Sequence, residues 1–359
     1  MIDKGNISLE WINKVSKANR ATDKILVEKV IRALLLLEGL VLQEVPFVFK
    51  GGTALMLHLN SSKRLSIDID IIISKQISGL EQHLEIVGKK QNFNRIEFQY
   101  RETESKIEKV HYKFYYTPLH KTNKDEEYIL LDILFEKAQY QKIIEFPIQS
   151  KFIPIIGEPT VVRLPSIEDL LGDKLTAFAP NTTGIPYLKK EDSMSMEIIK
   201  QLYDIDTLFD KATDLEIVKE TFYQFTETEL SYREKNGTAE DVLEDIYQTA
   251  LCIATRGTEG NGNFDELLLG IKRIAGFIFS ETYHIEKAII SASKAAYLAI
   301  LIKSNLNSIE KFNNPLQMKD WTISEPLNSK LNKLKKSNPE AFFYWYKIFE
   351  IKNNCNKKI

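Results

Sequence analysis

The run VPFVFKGGTALMLHLNSSKRLSIDIDIII, residues 45–73, decides how the chain is read. It opens on a short apolar stretch, 45–49, with the β-branched and aromatic side chains that strands favour. Gly51-Gly52-Thr53 follows, and 54–59 reads as the start of a helix. Two glycines let a backbone come close to a phosphate, and the first amides of a helix supply donors for it. A strand, two glycines and a helix also describe an ordinary tight turn, so this signal needs company. The company is RLSIDIDIII at 64–73. Side chains alternate along a strand, so Ser66, Asp68 and Asp70 fall on one face, and Ile67, Ile69, Ile71 and Ile73 on the other. Carboxylates side by side repel, and strands are poor in Asp. A hard divalent cation with oxygen ligands offsets that cost, and magnesium in phosphate-transfer sites takes one or two carboxylates plus substrate oxygens. A solvated edge strand would tolerate the same pattern, but the apolar run at 71–73 argues against an exposed edge.

Working outward, 8–43 reads as helical, ended by Pro46. Downstream, 95–102 and 109–117 alternate polar and apolar residues as half-buried strands do. The polar cluster at 123–127 reads as a turn, and 128–136, YILLDILFE, as a central strand holding Asp132. A carboxylate inside an apolar strand is expensive unless ligated or paired. Asp132 could be paired to a Lys or Arg; beside Asp68 and Asp70 it completes a three-carboxylate set able to hold metal and activate a hydroxyl. Short strands at 145–150 and 160–165 follow. From Ser166 the texture becomes helical: 166–179, 196–210, 215–235, 239–255, 264–279 and 283–304, with linkers at 180–186 and 257–263. Lys174 and Asp204 lie in these helices. A lysine there can neutralise phosphate charge, although helical Lys and Asp residues are commonly surface features. The tail carries Lys330, Lys333, Lys335, Lys336, Lys347, Lys352, Lys357 and Lys358. It is compatible with phosphate-backbone contact and equally with a solvated surface.

The expected architecture is α+β. An N-terminal helical segment (1–45) packs on a nucleotidyltransferase-like mixed β-sheet flanked by helices (46–185), and a C-terminal all-helical domain (186–359) follows. With 359 residues, 43% hydrophobic and 27% charged, the chain exceeds one domain of ~150 residues and can bury a core. A net charge of −2 excludes no partner class, because nucleic-acid binding depends on where charge sits. Cys252 and Cys355 give neither a disulfide framework nor zinc spacing. No signal-peptide pattern opens the sequence, and its apolar runs fall far short of the ~20 residues that span a bilayer. A soluble cytoplasmic protein without a membrane segment is expected.

Gly51-Gly52-Thr53, then Arg64-x-Ser66-x-Asp68-x-Asp70, then Asp132 on a strand, then Asp173-Lys174-Leu175 and Leu202-Tyr203-Asp204-Ile205 together resemble the AbiEii/AbiGii toxin family. This is the nucleotidyltransferase-like toxin component of type IV toxin–antitoxin and abortive-infection systems. It includes the MenT toxins of mycobacteria and sits in the polymerase-β-like nucleotidyltransferase superfamily. The resemblance covers about 46–210 and matches the C-terminal helices only loosely. It implies a transferase of phosphorus-containing groups. Gly51, Gly52, Thr53 and Ser66 would bind the nucleotide, and Asp68, Asp70 and Asp132 would hold Mg²⁺. Lys174 would contact the triphosphate, and Asp204 would be the acidic residue of the following helix. Relatives often read Lys-Asp before the Leu-Tyr-Asp portion, where this chain has Lys200-Gln201. The implied partners are a nucleoside triphosphate (CTP or GTP as donor), a tRNA 3′ end as acceptor, and a cognate antitoxin. Two further readings stay open: the same transfer to a small molecule or a protein hydroxyl, and a non-catalytic nucleotide-binding interaction module.

Overall fold

The computed structural model describes residues 1–59, 64–99, 108–120, 124–233 and 237–356, without the side chains of 355 and 356. The end of the expected strand at 100–102, the start of the 123–127 turn, the last residues of the 215–235 helix, Cys355 as a side chain, Lys357 and Lys358 lie outside the described residues. The chain divides into two compact units: Met1–Ser166 with Phe277–Thr282, and Ile167–Gly276 with Tyr283–Ile359.

The first unit opens with α1 (Leu9–Ala18) and α2 (Lys24–Leu42). The stretch expected as one helix is therefore two. Arg20 and Ala21 both adopt positive φ, and Asp23 then caps α2 by accepting from the Ile25 amide at 2.8 Å. An aspartate side chain that satisfies a first-turn N–H favours a new helix start over continuation. Next come β1 (Val48–Lys50), α3 (Gly51–Leu59), β2 (Ile69–Ile73), α4 (Leu80–Lys90), β3 (Arg95–Gln99), β4 (Lys109–Tyr116) and β5 (Glu127–Phe135). The unit ends with the hairpin β6 (Ile143–Pro147) and β7 (Val161–Pro165). Helix α4 was not among the sequence expectations, although Leu80, Leu84 and Val87 at helical spacing form its buried stripe.

The strands β1 to β5 form a mixed five-stranded sheet in the order β1-β2-β5-β4-β3. Only the β2–β5 pair is parallel; β1–β2, β5–β4 and β4–β3 are antiparallel. One face is apolar: Phe49, Ile69, Ile71, Ile73, Leu131, Ile133, Tyr112 and Phe114 are buried there. Helices α2 and α4 pack together, and α2 also packs on β2 and β5. Helix α2 is apolar nearly all round, which fits an element buried between layers rather than riding on a surface. The other face of the same strands carries Lys50, Asp70, Asp132 and His111, which alternate with the core residues by the period-2 rule.

The second unit is mainly helical: α5 (Ile167–Ala177), α6 (Ser195–Lys211), α7 (Leu215–Tyr232), α8 (Ala239–Ala254), α9 (Phe264–Ile274) and α10 (Ile285–Lys303). A two-residue hairpin, β8 (Leu188–Lys189) with β9 (Asp192–Ser193), precedes α6. After α10 come two single turns, α11 (Asn328–Leu331) and α12 (Leu334–Ser337), and then α13 (Pro339–Asn356). Helix α10 is the axis of the unit, packing against α6, α8 and α13. Its Ala292, Ala295, Ala296 and Ala299 are fully buried, and small side chains let neighbouring helices approach closely.

The lysine-rich tail is more than a solvated basic segment. Helix α13 buries Phe342, Phe343, Tyr344, Trp345 and Ile348. Lys347 pairs with Glu310 and Glu350 at 3.0 Å each, and Lys335 donates to the carbonyls of Lys319 and Trp321. The sequence reading weighed the lysines and overlooked the aromatic run between them, whose burial supplies the larger free energy. Among the described residues no helix is long and apolar enough to cross a membrane.

Candidate active site

Strand pairing builds the candidate site as one rung across the sheet. Lys50 on β1 stands opposite Asp70 on β2, Asp70 beside Asp132 on β5, Asp132 opposite His111 on β4, and His111 opposite Gln99 on β3. Registered neighbours project to the same side of a sheet, so all five side chains share the polar face. Adjacent strands are about 4.8 Å apart. Two carboxylates at that spacing repel by on the order of 3 kcal/mol at an effective dielectric near 20. An arrangement this costly, set by two buried apolar strands, calls for positive charge or donors beside it. His111 Nδ1 lies 2.6 Å from Asp132 Oδ1, within hydrogen-bond reach.

The Gly-Gly turn closes over the rung. Gly51 leaves β1 with φ +79, a conformation that glycine adopts at no steric cost. A Cβ there would stand 2.2 Å from Asp70 Oδ2. At Gly52 a Cβ would meet Ser66 Oγ at 2.7 Å and Arg64 Nη2 at 2.9 Å. Both glycines leave no room for a Cβ, Gly51 is favoured by its backbone shape as well, and together they bring the start of α3 against Ser66 and Asp70. Thr53 is fully buried, and its hydroxyl donates to the Asp68 carbonyl at 2.7 Å. It ties α3 to the segment entering β2. Arg64 is buried too: it donates to the Leu65 carbonyl at 3.2 Å and bridges to Ile278, while the Leu65 amide donates to the Phe277 carbonyl. The segment 277–282 thus braces the approach to Ser66.

Asp68 is exposed and precedes β2, which begins at Ile69. Among the described residues no three His, Cys, Asp or Glu side chains are grouped so as to hold a metal ion by themselves. Of the three expected carboxylates the structure brings Asp70 and Asp132 into register and places Asp68 just outside the strand. Such a pair fits magnesium, which takes one or two protein carboxylates and completes its shell with water and phosphate oxygens. The ligating atoms of the pair are all oxygen, and the Gly51 backbone lies against Asp70 Oδ2.

Lys174 and Asp204 belong to the second unit. They lie on α5 and α6, and Lys174 Nζ is 3.2 Å from Asp204 Oδ2 and 2.8 Å from Gln201 Oε1. Lys174 and Asp204 are 8% and 2% exposed, so neither is a surface residue. Gln201 supplies the second acceptor for the lysine.

The sequence reading missed Lys50 and His111. Both lie in stretches it identified, but a histidine in an alternating strand declares neither its face nor its cross-strand partner.

No curated protein sequence matches the chain significantly. Two crystal structures from Helicobacter pylori resemble the fold. One is of a presumptive nucleotidyltransferase, with 19% identity and a TM-score of 0.42, covering 78% of this chain and 94% of its own. The other is of the protein JHP933, with 19% identity and a TM-score of 0.41, covering 78% and 91%. The family model of the AbiEii nucleotidyl transferase toxin, type IV toxin–antitoxin system, matches residues 35–275. That match spans the sheet, the Gly-Gly turn, Asp132, Lys174 and Asp204, and on it the chain belongs to the AbiEii nucleotidyl transferase toxin family of type IV toxin–antitoxin systems.

Proposed function

We propose that this toxin-family nucleotidyltransferase moves a nucleotide from a nucleoside triphosphate to an acceptor hydroxyl, and that the acceptor is the 3′ end of a tRNA. The observation that carries the transfer reading is the registered Asp70–Asp132 pair with the Gly51 backbone closed against Asp70. The tRNA acceptor, the CTP or GTP donor and a cytoplasmic setting rest on the family resemblance. Family membership implies a cognate antitoxin.

In this reading Asp70 and Asp132 hold magnesium, with Asp68 at the mouth of the site. The ion would supply charge neutralisation at the α-phosphate and make the attacking hydroxyl more acidic. The chain's own groups do the rest. Backbone amides at Gly51 and Gly52, where α3 begins, take the phosphate tail, as helix N-termini do. Ser66 Oγ, packed at Gly52, adds a donor on the same side. The family resemblance assigns the triphosphate contact to Lys174, whose ammonium is held within its own unit by Asp204 and Gln201. Asp132 aligns the acceptor hydroxyl for in-line attack and receives its proton directly or through water. A bond forms from the acceptor oxygen to the α-phosphorus, the bond to the bridging oxygen breaks, and pyrophosphate leaves.

The test uses purified protein, magnesium, each α-labelled nucleoside triphosphate in turn and total tRNA, with the Asp68→Ala/Asp132→Ala double variant as control. Label on tRNA with wild type and none with the variant supports the reading and names the donor. If no nucleotide labels RNA, the tRNA assignment fails, and label on a protein or small molecule would identify the acceptor instead.

A further inference from the structure

Asp132 has a task in the transfer reading, but the side chain bonded to it has none so far. His111 is 8% exposed, and its Nδ1 stands 2.6 Å from Asp132 Oδ1. The two residues are direct partners in the antiparallel β4–β5 ladder. Their separation is therefore set by the hydrogen bonding of two central strands and not by a loop. A carboxylate only accepts, so Nδ1 carries the proton and donates it into this contact.

Asp132 makes no other side-chain hydrogen bond or ion pair among the described residues. The terminal torsion of an aspartate is broad and roughly twofold. One short hydrogen bond to Oδ1 removes most of that freedom and leaves Oδ2 as the oxygen available to a ligand. Its neighbour in register is Asp70. A carboxylate already oriented before its ligand arrives spares the ordering cost at binding, and hydrogen bonds to ligating carboxylates tune metal affinity in this way.

We propose that His111 is a positioning residue: its Nδ1–H holds the Asp132 carboxylate in one orientation, so that Oδ2 faces the cation and phosphate bound at Asp70. The inference rests on the nucleotidyl-transfer reading for the identity of those ligands. His111 itself touches neither substrate nor reacting atoms.

The test uses the full chain and the variants His111→Asn, His111→Leu and Asp132→Ala. An Asn amide can donate from near the position of Nδ1, whereas Leu fills the space without a donor. Two readouts need no turnover. The first is ¹⁵N NMR of the His111 ring, which should show a proton on Nδ1 in wild type and loss of that preference in Asp132→Ala. The second is Mn²⁺ binding measured by electron paramagnetic resonance. His111→Leu should bind Mn²⁺ about 10-fold more weakly or worse, and His111→Asn should stay within about threefold of wild type. Thermal melting accompanies both; should His111→Leu fail to fold, the ring tautomer and the Asn variant decide. The proposal is overturned by an unprotonated Nδ1, by no Mn²⁺ binding to wild type, by wild-type binding in His111→Leu, or by an Asn variant as weak as the Leu variant. Protein that binds Mn²⁺ in the His111-dependent manner yet labels no acceptor would overturn the transfer reading alone. Active transfer with no dependence on His111 would overturn the positioning role alone.

Discussion

A Cβ added to Gly51 would stand 2.2 Å from Oδ2 of Asp70, so the turn closes directly against the carboxylate. Gly51 also sits at φ +79, where an L side chain is strained by about 1–2 kcal/mol. Gly51→Ala should therefore lose stability by at least that amount in urea titration, and it should displace Asp70. Transfer activity should drop much further than stability explains. A Gly51→Ala protein with wild-type activity would remove the close approach from the argument.

The three aspartates differ in placement, and their substitutions should differ too. Asp70→Asn and Asp132→Asn change the registered pair and should each reduce the transfer rate by about 100-fold or more, the scale of losing one preorganised electrostatic contact. Both should stay folded, because each keeps the side-chain volume and removes the repulsion within the pair. Equal melting temperatures with undiminished rates would show that the pair is not the reacting centre. Asp68, exposed ahead of β2, should affect activity far more than melting.

Lys174 and Asp204 form a buried ion pair, so Lys174→Ala should cost stability as well as activity. Removing one partner of a buried pair typically costs about 3–5 kcal/mol. Replacing both, Lys174→Met with Asp204→Leu, should restore most of the stability but none of the transfer. Chemical denaturation and the labelling assay run on the same preparations separate the two effects. A double variant that regains activity would make the pair purely structural.

The Lys294 cluster sets a pH expectation. Burial alone would lower the Lys294 pKa, but Asp206, Glu340 and Asp210 outweigh burial and hold it above the ordinary lysine value. A raised pKa in the folded state gives stability that is complete below the unfolded value, about 10.4. It is lost as pH climbs from there through the folded value. The stability gap between wild type and Lys294→Met should therefore stay constant from about pH 6 to about pH 9 and narrow only above about pH 10.4. Because the three carboxylates are partly exposed, the gap should lie near the lower end of about 3–5 kcal/mol. A gap that shrinks below about pH 9 would contradict the assigned shift.

Much of this protein was legible in the sequence by itself. The alternation that opens 66–73 showed which of its residues face the core, because a one-residue slip would bury Asp70 and expose Ile71. The Gly-Gly pair announced a close approach, since no other residue combines positive φ with no side chain. Local chemistry decides such features, so local sequence records them. Tertiary structure alone decided the rest. Which strand lies beside which is a long-range matter, and only the β1-β2-β5-β4-β3 order places Lys50, Asp70, Asp132 and His111 on one rung. Asp68 and Asp70 look equivalent as letters two apart, yet β2 begins between them and only Asp70 gains a partner in register. The basic tail looked like surface because charge is read one residue at a time. Its aromatic residues became core once α10 was there to pack against them.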